Sequence, residues 1–352
     1  DAQRELRSEG FTMGIGSDFV HLHVHSDYSL LDGACQIKKL VELCSKQGMK
    51  AMALTDHGNM CGAVEFHDAL LEKGIKPIIG CEFYLAPDKR TVKTTSQPNH
   101  RGFHQIIYAR DLEGYRNLCR LNAKAHLEGY YFNPRIDKEC LAQHSHGLIA
   151  TSSCLGGEVP SFILQDNIPQ AKRALGECLD ILGRDNYYLE LQDHGIEEQQ
   201  KVNKVLLEFA KEFNLPLIAT NDVHYLLKEY ANSHAVLLCI GTQTNMQDPK
   251  RMKFDGAEFY FKSGDEMATL FKEVPEAITR TAEVAERCTV MLPKKENHYP
   301  VFTTPKGEDR RQYLTDLCNE ALIERYGIHV AQGLDQLTPE HKAVVDRLHF
   351  EI

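Results

Sequence analysis

The chain has no Trp among its 352 residues. No stretch approaches the roughly 18 apolar residues that a membrane-spanning helix needs. The first nine residues are polar and of mixed charge, so no signal peptide is expected. CxxC pairs are also missing. The 11 Cys, an odd number, are scattered, which fits reduced thiols in a cytoplasmic protein better than a disulfide framework. Neither GxGxxG nor GxxxxGK[S/T] occurs, which removes the two common nucleotide cradles. There is no basic excess either. Lys and Arg total 40 against 50 Asp and Glu, a formal net charge of −10. Such a chain is not expected to hold DNA tightly by backbone electrostatics alone. A cluster of divalent cations can still reverse the sign locally. No internal repeat is evident.

What is present is a regular rhythm of short apolar runs. Hydrophobic residues make up 42%, enough for one large α/β domain with an appendage, or for two domains. Seven runs read as strands: 19–25, 51–55, 76–82, 103–108, 147–151, 187–192 and 216–220. Most are continuously apolar, which favours buried parallel strands. Helical spacing appears between them at 36–46, 60–72, 112–125, 169–182 and 197–213. This alternation predicts a parallel sheet, as a (β/α) barrel or an open doubly wound fold. The polar stretch 87–101, with Lys89, Arg90, Lys93 and Arg101, reads as a long solvated loop. From about residue 241 the rhythm changes to polar and helical patterns. Residues 300–305 look like a linker, and Thr338-Pro339 is expected to open a helix, with Thr as cap and Pro in the first turn. Residues 1–17 are expected to be an extension or a tag remnant. The final apolar positions, Val344, Val345, Leu348 and Ile352, run on without a stop signal, as in a piece of a longer protein.

The chemistry gathers where these runs end. In FVHLHVHSDYSLLDG (19–33), His23 and His25 are two apart, so on a strand they share a face, and Asp32 follows in the loop. His57 follows the second run in LTDHG (54–58), and Glu82 closes the third in GCEF (80–83). His104 lies in the fourth. Cys154 follows the fifth in ATSSCLGG (150–157). Asp222 and His224 follow the seventh in ATNDVHY (219–225). In barrels, catalytic groups gather at the C-terminal strand ends. Nine groups would therefore converge: five His, two Asp, one Glu and one Cys. Unpaired, such groups would each cost several kcal/mol to bury, and metal ions remove that cost. Nine exceed the four ligands of a closed zinc site, so two or three ions with bridging carboxylates are expected. Paired ions about 4 Å apart serve phosphoester hydrolysis. The mixed N/O set with one thiolate suits Zn, Mn or Fe.

Other polar residues have blander readings. Asp56 is either a loop cap or a group that orients His57. His21 shares the strand face of the pair and stands outside the ligand set, as does His194 in LQDHG (191–195). His126, His144, His146, His298, His329 and His349 are read as surface or packing residues. Cys35, Cys44, Cys119, Cys178 and Cys239 are read as core.

These runs together resemble the PHP (polymerase and histidinol phosphatase) domain family, in the form found at the N-terminus of bacterial DNA polymerase III alpha subunits. The resemblance covers roughly residues 18–290. The runs FYFKS (259–263), VPEA (274–277) and AEVAERC (282–288) resemble the segment that joins this domain to a polymerase core, and 300–352 the start of that core. The resemblance implies a distorted (β/α)7 TIM-like barrel at 18–240, a connecting segment at 241–299 and a mostly helical extension. It implies a trinuclear centre with nine ligands, all with counterparts: His23, His25, Asp32, His57, Glu82, His104, Cys154, Asp222 and His224. Two or three divalent ions (Zn, Mn or Fe) are its expected cofactors, with Asp32, His57 and Asp222 as catalytic residues.

The activity implied is metal-dependent phosphodiester hydrolysis, as a 3′–5′ proofreading exonuclease acting on a single-stranded or mismatched DNA 3′ end. Lys89, Arg90, Lys93 and Arg101 are candidates to guide the strand. Other readings are a pyrophosphatase or phosphomonoesterase on the same metals, or a non-catalytic metal-stabilised scaffold. The expected partners are the rest of the polymerase chain and replisome subunits such as the sliding clamp, in the cytoplasm and not at a membrane. The carboxylates of DNA synthesis would lie beyond Ile352, so this stretch is not expected to polymerise.

Overall fold

The computed structural model describes residues 18–96, 98–293 and 299–352. The expected extension 1–17 and His298 lie outside the described residues. The chain divides into two compact units at Leu292/Pro293.

Among the described residues, seven strands build the first unit: β1 (Ala51–Leu54), β2 (Lys76–Leu85), β3 (Phe103–Ala109), β4 (Arg135–Ile136), β5 (Leu148–Thr151), β6 (Tyr187–Leu191) and β7 (Leu217–Ala219). The sheet runs in the order β1-β2-β3-β5-β6-β7, with β4 paired to β2. Residues 19–25, expected as a first strand, form only isolated bridges. They nevertheless link the two ends of the path. Ala53 N–H donates to the His21 carbonyl on one side, and His25 N–H donates to the Val223 carbonyl on the other. The result is a curled sheet, a distorted β/α barrel.

The all-parallel expectation fails at β3, which is antiparallel to both β2 and β5. Parallel neighbours need a crossover of a dozen or more residues, usually a helix. Between β2 and β3 no helix forms, and the chain turns straight back. The reversal matters for the site. His104 stands at the start of its strand, opposite Tyr84, and only a reversed strand brings its first residues to the end where the other strands finish.

Side chains alternate between two apolar layers. Ala51, Ala53, Ile78, Ile106, Tyr108, Ile149, Tyr188 and Ile218 form one cluster drawn from every long strand, which only the inside of a curled sheet allows. Their neighbours Met52, Leu54, Ile79, Ile107, Ala150 and Leu189 pack outward in a larger cluster with the helices. Helix Pro275–Arg287 joins the inner cluster through Val284 and Ala285. The inner layer keeps its parity along the strands and turns polar at the opposite end, at Thr55, Glu82, His104, Thr151, Glu190 and Thr220.

The helices follow the expected periodicity closely: Ile37–Lys46, Ala63–Glu72, Leu112–Leu127, Ile168–Leu182 and Glu197–Phe213. Local capping fixes several starts. Asp111 accepts from Gly114 N–H and Asp137 from Cys140 N–H. Loop 87–101 is mostly exposed, as expected, and is tied to the barrel through Arg135 and Arg90. The guanidinium of Arg135, 2% exposed, donates to the carbonyls of Gly129, His100, Arg90 and Val92. Arg90 pairs with Glu128 and Asp137, so it is a structural residue and no longer a candidate strand guide. In the second unit, helices Arg310–Tyr326 and Pro339–Glu351 enclose a small core of Leu322, Ile328 and Val345. The Thr338 hydroxyl caps the latter helix by accepting from His341 N–H.

Candidate metal centre

The polar end of the inner layer brings the nine candidate ligands together. Glu82 stands at the middle and is fully buried. Its Oε1 lies 2.8 Å from His104 Nδ1, 3.6 Å from His23 Nε2 and 3.8 Å from Cys154 Sγ. Its Oε2 lies 2.6 Å from His57 Nδ1 and 3.4 Å from His25 Nε2. One carboxylate thus faces two sets of donors with its two oxygens. Asp222 Oδ1 lies 3.1 Å from His23 Nε2, 3.3 Å from His25 Nε2 and 3.5 Å from His224 Nδ1. Asp32 Oδ2 lies 3.3 Å from His57 Nε2 and 3.9 Å from His224 Nε2. Three groupings have donor atoms close enough to share an ion: His25/His57/His224, His23/His25/Asp222 and His57/Glu82/His104.

A shell of hydrogen bonds aims these donors. His23 Nδ1 donates to Glu190 Oε1 at 2.8 Å, leaving the Nε2 lone pair pointing inward. Glu190 is itself held by the hydroxyls of Thr151 and Thr220 and by Gln192 Nε2. For His25 the relay is longer. Ser29 gives its one hydroxyl proton to Asp56 Oδ1 at 2.7 Å. Its oxygen is then an acceptor, and His25 Nδ1 donates to it at 3.1 Å. Asp56 also accepts from the backbone and hydroxyl of Ser26. It therefore holds the 26–29 loop and orients an imidazole through Ser29, and that imidazole belongs to His25 rather than His57. His224 Nδ1 donates to the Asp222 carbonyl at 2.8 Å. In all three rings Nε2 is the free donor, the arrangement that metal-binding imidazoles adopt.

The backbone is shaped to fit. Asp222 has φ +45° and Ser153, next to Cys154, has φ +63°, a region costly for residues other than glycine. At Gly156 an added Cβ would sit 2.9 Å from the His104 ring, so only glycine leaves that ring its place.

Electrostatics identify what is missing from protein atoms alone. Burial opposes protonation of His23, yet the Asp222 and Glu190 carboxylates raise it well above its ordinary value. Burial would raise Glu82, but His104 and His57 hold it well below the usual carboxylate range. Burial pushes the Cys154 thiol well up, so a thiolate there requires a cation at Sγ. Five buried atoms in the cluster lack a well-aligned hydrogen bond despite close polar neighbours: Asp32 Oδ1, His57 Nδ1, Glu82 Oε2, Asp222 Oδ1 and His224 Nε2. Poorly satisfied polar atoms are costly in such a place. Their convergence in one N/O/S donor set fits divalent ions.

Residues outside the nine sort themselves by contact. His21 donates to or accepts from no ligand; its Nε2 lies 2.8 Å from the Lys262 carbonyl, and its ring packs on Phe261. Both nitrogens of His194 are occupied, by the Asn221 carbonyl and by Gln199 Nε2, so it braces the loop that carries Asp222. Glu190 escaped notice in the sequence because it lies inside the run YYLEL rather than at its end. The signal was there: an acid in a continuously apolar strand needs a buried partner.

Residues 21–194 match the PHP domain model. The chain carries a PHP domain. It is 44% identical over 333 residues to the DNA polymerase III subunit alpha of Treponema pallidum, covering 94% of this chain and 28% of that protein. It is likewise 44% identical over 330 residues to that of Thermus aquaticus, covering 91% and 27%. It thus spans little more than a quarter of the relatives it matches. Among solved structures, a putative metal-dependent phosphoesterase from Bifidobacterium adolescentis aligns at 16% identity and a TM-score of 0.37, covering 58% of this chain and 87% of that one, too distant to bear on function. No helix among the described residues is long and apolar enough to cross a membrane.

Proposed function

We propose that this PHP domain is a metal-dependent phosphodiesterase that shortens DNA from its 3′ end, removing mispaired nucleotides as part of a DNA polymerase III alpha subunit. The observation that carries the reading is the set of poorly aligned polar atoms around Glu82, whose two oxygens face separate donor groups. His23, His25, Asp32, His57, Glu82, His104, Cys154, Asp222 and His224 would hold two or three ions, Zn, Mn or Fe by donor chemistry. Bound divalent ions supply a water that ionises near neutral pH and positive charge opposite the phosphoryl oxygens.

The residues themselves do the rest. Asp222 presents Oδ1 to three imidazoles and fixes the spacing between them. Asp32 Oδ2 and His57 Nε2, 3.3 Å apart and largely buried, would share in holding an ion and so place the water it activates. Frayed or mismatched ends are favoured because they unpair at lower cost. In this reading 18–240 is the hydrolase barrel, 241–299 the connection and 300–352 the start of the polymerase core. The working partners are the DNA 3′ end, the rest of the polymerase chain and the sliding clamp, in the cytoplasm.

The net charge of −10 supports a second reading, a pyrophosphatase or phosphomonoesterase on the same metals. A metal-stabilised scaffold would use the same donors. The deciding experiment offers the Mn- or Zn-loaded chain a 3′-mismatched primer-template, pyrophosphate and a phosphomonoester, beside a His23→Ala, Asp222→Asn control. Asn tolerates the left-handed backbone at 222, and circular dichroism checks that the control keeps its fold. Cleavage of the primer that the control loses supports the exonuclease. Preference for pyrophosphate or the monoester supports the second reading. Tightly bound metal without any hydrolysis leaves the scaffold.

A further inference from the structure

A cleft of about 220 Å³ opens beside the metal centre. Cys154, Asp222, Lys253, Phe254, Asp255 and Phe259 are among the residues that line it. Part of its wall comes from the polar stretch after residue 241, which no sequence pattern places near the ligands. Its backbone is hung directly on the ligand-bearing segment. His224 N–H donates to the Phe259 carbonyl at 2.8 Å, and Tyr225 bridges Tyr260. The wall therefore keeps a fixed register with Asp222.

Phe254 is half-buried. Its ring stands steeply to those of His224, His234 and Phe259, with centroids 4.7, 4.9 and 4.6 Å away. Beside it Lys253 is exposed and makes no ion pair among the described residues. An aromatic ring and a Lys without an ion pair thus share with a carboxylate of the proposed centre a cleft too small for a duplex. A nucleotide offers the matching pair of features, an aromatic base and an anionic phosphate. Aromatic platforms bind single strands without sequence preference because every base has a π-face.

We infer that this cleft holds the 3′-terminal nucleoside of the strand being shortened, with its base stacked on Phe254 and a backbone phosphate paired with Lys253. The inference rests on the exonuclease reading for its substrate but is tested separately from it. The probe is a single-stranded oligonucleotide ending in 2-aminopurine, whose emission falls on stacking and is undisturbed by Trp, which this chain lacks. A phosphorothioate at the last linkage blocks cleavage for the binding measurement. The zinc-loaded chain is compared with Phe254→Leu, which keeps apolar bulk without a π-face, Phe254→Tyr, which restores one, and Lys253→Gln. Metal content is measured for each.

Quenching by the unaltered chain and by Phe254→Tyr, lost in Phe254→Leu, is expected. On the cleavable oligonucleotide, Phe254→Leu should raise KM roughly tenfold with kcat nearly unchanged, as stacking loss implies. Lys253→Gln should raise KM more at low salt than at high salt. Quenching that depends on Phe254 without any cleavage would uphold the cleft and sink the exonuclease. Cleavage with KM and quenching unmoved in Phe254→Leu and Lys253→Gln would uphold the exonuclease and overturn the cleft. Should Phe254→Leu lose metal through its contact with His224, the Lys253→Gln salt profile decides, and an unchanged KM in that variant overturns the inference.

Discussion

His23 and Glu190 meet at 2.8 Å, Nδ1 to Oε1, with both side chains wholly buried. Glu190 lies two residues short of the expected end of its strand, one layer below the candidate ligands. Two hydroxyls and an amide also donate to it, so its orientation is over-determined. The pair settles which nitrogen of His23 faces the metal centre.

Glu190→Gln is therefore expected to weaken metal binding by roughly 10- to 100-fold while the fold persists. Chelator competition against the unaltered chain measures the change, and circular dichroism checks the fold. Unchanged affinity would mean that Glu190 is only a buried acid among hydroxyls.

Removing metal should destabilise the domain. The poorly aligned atoms around Glu82 and Asp222 gain well-directed partners from cations, and a ligand at 1,000 times its Kd adds about 4 kcal/mol. A thermal melt in EDTA should fall by several degrees and recover on adding Zn or Mn. A melt indifferent to EDTA, in a sample shown to be metal-free, would argue against metal holding the site together.

Acid should weaken the fold through His194. Burial lowers this imidazole from 6.5 to about 4, because its ring is enclosed between Phe259, Gln199 and the Asn221 carbonyl. The unfolded chain takes up the proton first. Its contribution is thus complete above pH 6.5 and is lost as pH falls towards 4, about 3 kcal/mol in all. Urea unfolding at pH 7, 5.5 and 4.5 should show that slope, and His194→Gln should reduce it while leaving the share of His21, which burial likewise lowers to about 4.

Arg135→Met should cost about 3 kcal/mol or more, since four loop carbonyls lose a buried donor. Hydrogen exchange should rise first across residues 87–102. An unchanged exchange pattern there would show that other contacts hold the loop.

By itself the sequence determined the period of the helices, the apolar runs and the polar residues at their ends, because side-chain periodicity and strand termini are local properties. The nine candidate ligands were legible for that reason. Only the tertiary structure decided the direction of β3, since pairing with β2 and β5 depends on the path of loop 86–102, which carries no helix to bring the chain around. It also decided that residues 19–25 link the two ends of the sheet through bridges to 53 and 223. The burial of Glu190 beside His23, the relay from Asp56 through Ser29 to His25 and the place of Phe254 in one cleft with Asp222 belong there too. The Ser29–Asp56 and His23–Glu190 contacts join residues 27 and 167 positions apart, and no local pattern encodes a contact that exists only once the sheet has curled.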